Sequence, residues 1–414
     1  MKIIDSIFFD VIVTLVLLTP SMSGVAQDVR VRREIPYCQA MYPGEDKMKN
    51  LCFDFYEPAG ESDTLRPLVI TLFGGGFVVG SRDYEDMVEW CNRFAENGCA
   101  AASIDYRLMP VRKFNTKGLI RTGFMAAQDV STAVRFFKAH CDKYRIDTNR
   151  IFVLGNSAGT IASMNFLWMN DQERPTETFE DDGWLGIGGH SDLGGVHTTG
   201  FPEYLSYSPR IAGLIAQWGG VLDTNIIAEN DNTPVCLIHG TADETVPYEY
   251  GAPYGGSFLG VTSLVLPDLY GSYYIDQRLT SRGVEHELHT FEGKEHCFYI
   301  EGTTTLLPEE LDTCFRIALA FMTDIIFYQP TPEAISDIDN EPIQVFPNPV
   351  EDCLHLQMDD NTSVLSCELY DLQGRLLKVT EKETSMRVKN LPSGTYILHI
   401  HTDKGSFNTK VIKK

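Results

Sequence analysis

The stretch that most limits what this chain can become is Arg150 to Met169, RIFVLGNSAGTIASMNFLWM. Apolar residues crowd the run up to Gly155, as in a strand covered on both faces, and Ala158, Ile161, Ala162, Asn165 and Phe166 then follow at helical spacing. Between the two lies Gly155-Asn156-Ser157-Ala158-Gly159, a G-x-S-x-G run whose small residues permit a tight, strained turn. So abrupt a passage from buried strand to helix belongs to an alternating α/β fold with a parallel sheet. It would lift Ser157 above the sheet edge as a candidate nucleophile, whereas the bland alternative is a glycine-rich turn with an ordinary serine. The neighbourhood has to decide between them.

A serine hydroxyl attacks a carbonyl only with a base to take its proton, an acid to orient that base, and donors for the developing oxyanion. Thr233 to Pro247, TPVCLIHGTADETVP, is a buried strand followed by a polar turn, which puts Asp243 at a strand tip. An Asx-turn role is the alternative for Asp243, and Asp223 and Glu244 are weaker rivals for the acid. Glu285 to His296 supplies a last strand: His286 and His289 fall within its alternation, while His296 follows a turn at Gly293. Upstream, Arg66 to Gly80, RPLVITLFGGGFVVG, runs an apolar strand into three glycines. A dinucleotide-binding loop would need glycine where Val79 stands, and no Gly-Lys-Ser/Thr follows for a phosphate loop.

FGGGFVVGS resembles the HGGGF-x-x-GS oxyanion loop of serine carboxylesterases and of the hormone-sensitive-lipase type, and Asp105-Tyr106-Arg107-Leu108 is similar to that family's DYRL stretch. The run HGTADETVP looks like the HG-x-x-D-x-x-VP signature shared by esterases and prolyl-oligopeptidase-like enzymes. The resemblance implies an α/β-hydrolase fold, with Ser157 as nucleophile, Asp243 as acid and His296 as base in that chain order. It implies an oxyanion hole formed by the amides of Gly75, Gly76 and Ala158, and no cofactor or metal. Phe73 stands where the family usually has histidine, and a phenyl ring cannot hold the loop by a hydrogen bond. Asp105 lies upstream of Ser157, against the family order, and is expected to pair with Arg107 or tie the loop; Asp129 resembles a structural aspartate.

Further elements follow from periodicity. A half-buried strand is expected from Asn50 to the Pro58/Gly60 turn, an amphipathic helix over Thr122 to Tyr144, a strand over Ile211 to Gly220, and a closing helix over Leu311 to Phe327. Asn170 to Pro209 is polar and glycine-rich, with His190, Asp192 and His197, and reads as a lid or binding loop rather than a metal site. Tyr248 to Tyr274 carries seven aromatic residues, suited either to a ring-shaped substrate group or to packing on one another.

Met1 to Ala26 reads as a secretory signal: Lys2, an apolar run from Ile7 to Leu18 interrupted by Asp10, and a small-residue end. The chain of 414 residues has a net charge of -23, which opposes nucleic acid and anionic membrane as partners. Its ten cysteines all lie beyond Ala26, compatible with disulfides or with buried thiols; Cys353 with Cys367 and Cys297 with Cys314 are near in the chain. Residues 328–342 form a proline-rich acidic linker, after which nine Lys or Arg balance nine Asp or Glu, so the whole charge belongs to the linker and the part before it. Alternating runs in residues 343–414 read as a small β-sandwich. Through VFPNP, LYDLQGRLL, LPSGTYIL and the basic end KVIKK, this tail resembles the sorting domain of the type IX secretion system of Bacteroidota; a carbohydrate-binding sandwich is the rival.

The expectation is an α/β-hydrolase over residues 27–327, following a signal at 1–26 and followed by a sorting domain at 343–414. The implied activity is that of a secreted serine ester hydrolase on small-molecule or polysaccharide esters, acetyl and feruloyl among them, exported through the periplasm by the type IX machinery. A prolyl-oligopeptidase-like peptidase, a lipase and a non-catalytic adhesin are the alternatives.

Overall fold

The computed structural model describes residues 28–42, 48–60, 64–111, 115–179, 192–197, 202–228, 231–256, 266–302, 305–327, 343–358, 362–370, 376–392, 394–402 and 405–414. The signal, the linker and His190 lie outside them. Eight strands make the main sheet: β1 (Val29–Met41), β2 (Met48–Pro58), β3 (Arg66–Leu72), β4 (Ala100–Ile104), β5 (Ile146–Asn156), β6 (Gly213–Gln217), β7 (Val235–Gly240) and β8 (His286–Phe291). Their spatial order is β1-β2-β4-β3-β5-β6-β7-β8. β1, β2 and β4 pair antiparallel, and the remainder run parallel.

The helices are α1 (Glu85–Glu96), α2 (Thr116–Ala139), α3 (Ala158–Trp168), α4 (Ser272–Arg282) and α5 (Pro308–Phe327). The step from β3 to β4 goes one way along the sheet and the step from β4 to β5 returns past β3, so right-handed crossovers put α1 and α2 on opposite faces. On one side α1 meets α5, with Trp90 and Phe94 against Phe315 at centroid distances of 5.7 and 5.3 Å. On the other, α2 packs along α3. Among the described residues, no helix is long and apolar enough to cross a membrane.

The reversal makes β3 and β5 neighbours whose following loops diverge, and a crevice opens at the carboxyl ends of strands at such a switch point. The glycine loop after β3 and the Ser157 turn after β5 both emerge there.

Two expectations change. α2 starts earlier than Thr122, because Asn115 caps it by accepting from the Gly118 amide at 2.7 Å, and it ends at Ala139 with a separate turn at Cys141–Tyr144. It is buried all round rather than on one stripe. Its polar side chains explain why: Gln128 donates to the Leu193 carbonyl at 2.7 Å and Arg135 to the His197 carbonyl at 2.6 Å, so the segment after α3 wraps its outer face. Likewise β2 is buried rather than half-buried, because β1 covers its edge, with Arg33 against Asp54 and Arg32 against Glu57.

The tail forms two sheets over one apolar cluster that includes Val350, Leu354, Leu369, Leu398 and Val411. One joins Gln344–Phe346, Cys353–Gln357 and Ser385–Arg387; the other joins Leu376–Glu381, Val364–Tyr370, Gly394–Thr402 and Gly405–Lys413. All ten cysteines, including both pairs near in the chain, are free thiols.

Candidate active site

Ser157 sits between β5 and α3 at φ 54° and ψ -115°, a conformation that costs on the order of 1–3 kcal/mol and persists only where the surroundings enforce it. Its amide donates to the Gln217 carbonyl at 3.1 Å, and the Thr160 hydroxyl donates to the same carbonyl at 2.7 Å, so the end of β6 clamps the turn. The flanking glycines are required by space. A Cβ at Gly155 would lie 2.5 Å from Thr160 Cα, and one at Gly159 would lie 2.5 Å from the Leu72 carbonyl oxygen and 2.7 Å from that of Phe73. Gly159→Ala is therefore expected to lower stability by about 1–3 kcal/mol, because backbone oxygen cannot swing aside. A urea midpoint equal to that of the unaltered protein would show that the loop has room.

Asp243 and His296 come to the same place from β7 and β8. The Ser157 hydroxyl donates to His296 Nε2 at 2.8 Å, and His296 Nδ1 donates to Asp243 Oδ2 at 2.6 Å. Asp243 Oδ1 accepts from the Thr245 and Val246 amides, each at 2.8 Å. This is also the Asx-type turn foreseen as the alternative, so the turn and the contact with His296 use different oxygens of one carboxylate. Burial alone would raise Asp243, but hydrogen bonds from His239 and His296 outweigh it and hold the carboxyl at about 2. Burial opposes charge on His296, while the neighbouring Cys297 sulfur and the Asp243 carboxylate favour it; the balance raises the ring above the ordinary histidine value.

Gly75 and Gly76 take φ of 120° and 59°, and a Cβ at Gly75 would lie 2.0 Å from the Val79 carbonyl oxygen. Gly76, Ser157 and Ala158 line one pocket, and Gly75 precedes Gly76 in the same turn. Ala158 opens α3, so its amide precedes the first intrahelical acceptor and is left for a ligand at the positive end of the helix. Phe73 holds the loop by packing: its ring stacks on Tyr106 at 4.3 Å, and the Tyr106 hydroxyl donates to its carbonyl at 2.7 Å. A Cβ at Gly80 would come within 2.3 Å of that ring.

The pocket over Ser157 is apolar, with Phe77, Leu119, Phe124, Ile161, Leu222 and Tyr254 on its walls and no charged side chain among its described lining residues. Of the tyrosine-rich insert, Tyr254 reaches this pocket. Tyr248, Tyr250, Tyr270, Tyr273 and Tyr274 pack edge or tilted on one another, with centroids 4.6 to 5.9 Å apart; Phe258 lies outside the described residues.

The rival residues have other partners. Asp105 pairs with Arg82 at 2.7 Å rather than with Arg107, which binds Asp129 at 2.8 Å instead. Arg82 reaches Asp105 from the loop after β3, so of the two expected roles Asp105 has that of tying the loop. Asp223 caps a short turn at Thr224–Ile226, and Glu244 is exposed. His286 lies against Asp276, His289 against Glu287, and Asp192 against Arg174, while His197 Nδ1 is 3.1 Å from the Ser131 hydroxyl. Cys236, Glu287 and His289 bring donor atoms within 4.8 Å of one another. Burial pushes the Cys236 thiol well up, and His289 Nε2 is already bonded to Glu287 at 2.8 Å, so the group reads as a hydrogen-bonded strand pair beside a protonated thiol.

Sequence reasoning missed the polar network beneath the turn. Asn156 donates to Asp86 at 2.8 Å and accepts from the Trp218 indole at 2.5 Å, while the Tyr299 hydroxyl accepts from Trp90 at 3.1 Å and donates to Gln217 at 2.9 Å. Burial lifts the Asp86 carboxyl to about 6. An asparagine ending an apolar strand was the available signal.

The sequence pattern of the family described as BD-FAE matches residues 53–184, and that of the secretion system C-terminal sorting domain matches residues 344–414. The chain has an α/β-hydrolase fold followed by a C-terminal secretion-system sorting domain. Esterase LipC of Mycobacterium tuberculosis is 27% identical over 247 residues, 56% of this chain and 56% of LipC. An acetyl esterase of Salmonella schwarzengrund is 27% identical over 111 residues, 26% of this chain and 31% of that protein. The chain thus spans about half, or less, of the length of these curated relatives. The propionate-bound esterase Est2 of Thermogutta terrifontis overlies 75% of this chain and 98% of its own, at 20% identity and a TM-score of 0.47.

Proposed function

We propose that the hydrolase cleaves carboxylic esters through an acyl-enzyme on Ser157. The observation that carries this reading is the unbroken chain from the Ser157 hydroxyl through His296 to Asp243 at the floor of an apolar pocket. As Ser157 Oγ bonds to the ester carbonyl carbon, its proton passes to His296 Nε2, and Asp243 stabilises the imidazolium. The carbonyl oxygen becomes an oxyanion facing the amides of Gly75, Gly76 and Ala158. Collapse breaks the bond to the leaving alcohol, which takes the proton from His296. Water, deprotonated by the same ring, then releases the acid and restores the serine. The uncharged walls suit an uncharged acyl group, acetyl or feruloyl included, on a small alcohol or a polysaccharide. The tail directs the protein to the cell surface or the medium, by way of the periplasm and the type IX machinery.

Hydrolysis of p-nitrophenyl esters from acetate to palmitate tests the reading, with a prolyl nitroanilide alongside. Ester cleavage is expected and anilide cleavage is not; the reverse result would make the protein a peptidase, and an optimum at palmitate would make it a lipase. The base must be neutral to act, and its proton affinity is raised, so kcat/KM should climb with pH through a midpoint above the ordinary histidine value of 6.5. A midpoint at or below that value would remove His296 in this setting from the role of base.

A further inference from the structure

A second histidine touches the proposed catalytic acid. His239, near the end of β7 and fully buried, places Nε2 at 3.1 Å from Asp243 Oδ2 and 3.0 Å from the Val246 carbonyl oxygen. A carboxylate and a carbonyl can only accept, so Nε2 carries the proton. Nδ1 is then free to accept from the Ser272 hydroxyl, 2.8 Å away. Ser272 is the first residue of α4, where the tyrosine-rich insert returns to the sheet. The return is tight: a Cβ at Gly271 would lie 1.9 Å from the Pro247 carbonyl oxygen, and the Gly271 amide donates to the Glu249 carbonyl. Between Pro247 and Gly271 the chain contributes Pro253, Tyr254, Leu266, Pro267 and Leu269 to the walls of the pocket over Ser157.

We propose that His239 is a positioning residue that holds Asp243 Oδ2 toward His296 and, through Ser272, moors the pocket-lining insert to the catalytic acid. This rests on the ester-hydrolase reading above. Oδ2 takes both imidazoles while Oδ1 is fixed by two backbone amides, so the carboxylate plane is defined from four directions. Without His239 the plane keeps its Oδ1 anchors and loses one of the two donors on the oxygen that faces the base. The two sides of the histidine have separable effects: the Nε2 side governs turnover, and the Nδ1 side governs the shape of the pocket and hence substrate affinity.

The test compares the full chain with His239→Leu, His239→Gln and Ser272→Ala on a p-nitrophenyl ester, with circular dichroism to establish folding and a fluorophosphonate to titrate Ser157. His239→Leu should lose about 10- to 100-fold in kcat, the size expected when a buried charged group loses a hydrogen bond, and, because the contact to Ser272 goes with it, should raise KM as Ser272→Ala does. His239→Gln, whose amide nitrogen reaches the place of Nε2, should recover most of that loss. Ser272→Ala should raise KM and leave kcat near its starting value. If His239→Leu does not fold, the comparison of His239→Gln with Ser272→Ala carries the test. Parent-like kcat in a folded His239→Leu, a His239→Gln variant without KM change whose kcat falls 10-fold or more, or a Ser272→Ala variant that lowers kcat instead of raising KM, overturns the proposal. If the unaltered chain neither cleaves esters nor takes the fluorophosphonate, the ester-hydrolase reading fails and this one falls with it. Activity in the parent with no effect in the variants sinks the positioning role alone.

Discussion

Ser157→Ala should lower kcat on a p-nitrophenyl ester by about 10⁶-fold, the loss typical of removing a serine nucleophile that works as a unit with its base. The substitution is well suited to the site: alanine keeps the Cβ, so the strained φ of 54° and the clamp from the Gln217 carbonyl are unchanged, and only the oxygen bonded to His296 disappears. Thermal stability should stay near that of the parent. Residual catalysis of about 10³–10⁴ over water would remain from the amides of the oxyanion loop. Activity within 10-fold of the parent would mean that ester cleavage occurs elsewhere.

Asp243→Asn should lower kcat by about 10⁴-fold, and the structure says why an isosteric change is so damaging. The Thr245 and Val246 amides both donate to Oδ1, so the asparagine would keep its carbonyl oxygen there and turn its NH₂ to the place of Oδ2. That NH₂ would face His239 Nε2, a donor, and His296 Nδ1, now also a donor. His296 can escape by moving its proton to Nε2, but Nε2 must be bare to accept from Ser157. Rate measurements across pH should find the loss at every pH where the parent is active. A fall of less than 10-fold would show that orientation of the imidazole does not depend on this carboxylate.

The parts of the fold that could be read from the chain were those whose signal is local. A buried strand breaking into glycines is visible at Leu72 and again at Gly155, and the strand tips carrying Asp243 and His296 follow similar logic. β1 was missed because VRVRREIPYCQAM is strongly charged: Arg32 and Arg33 are accommodated by Glu57 and Asp54 of β2, a pairing between residues more than 20 apart that no periodicity reveals. α4 was missed because SYYIDQRLTSR continues the tyrosine run of the insert, and its fold depends on packing against β7 and β8. The same limit hid which cation Asp105 takes, since Arg82 comes from another loop, although its role of tying a loop was expected, and it hid His239, which belongs to a recognised motif but acquires meaning only when Asp243 turns back onto it.

The stack of Phe73 on Tyr106 under the glycine loop has a consequence for how the protein meets its surroundings. Where an imidazole supports such a loop, acidity can change the support's charge and its hydrogen bonds together. Two carbon rings in van der Waals contact have no proton to gain. The Tyr106 hydroxyl, buried with its titration pushed well above the ordinary range, has none to lose in moderate alkali. A protein sent outside the cell meets whatever acidity its host medium imposes. The glycine loop should keep its shape through such swings, leaving His296, the proposed base, as the part that responds to them.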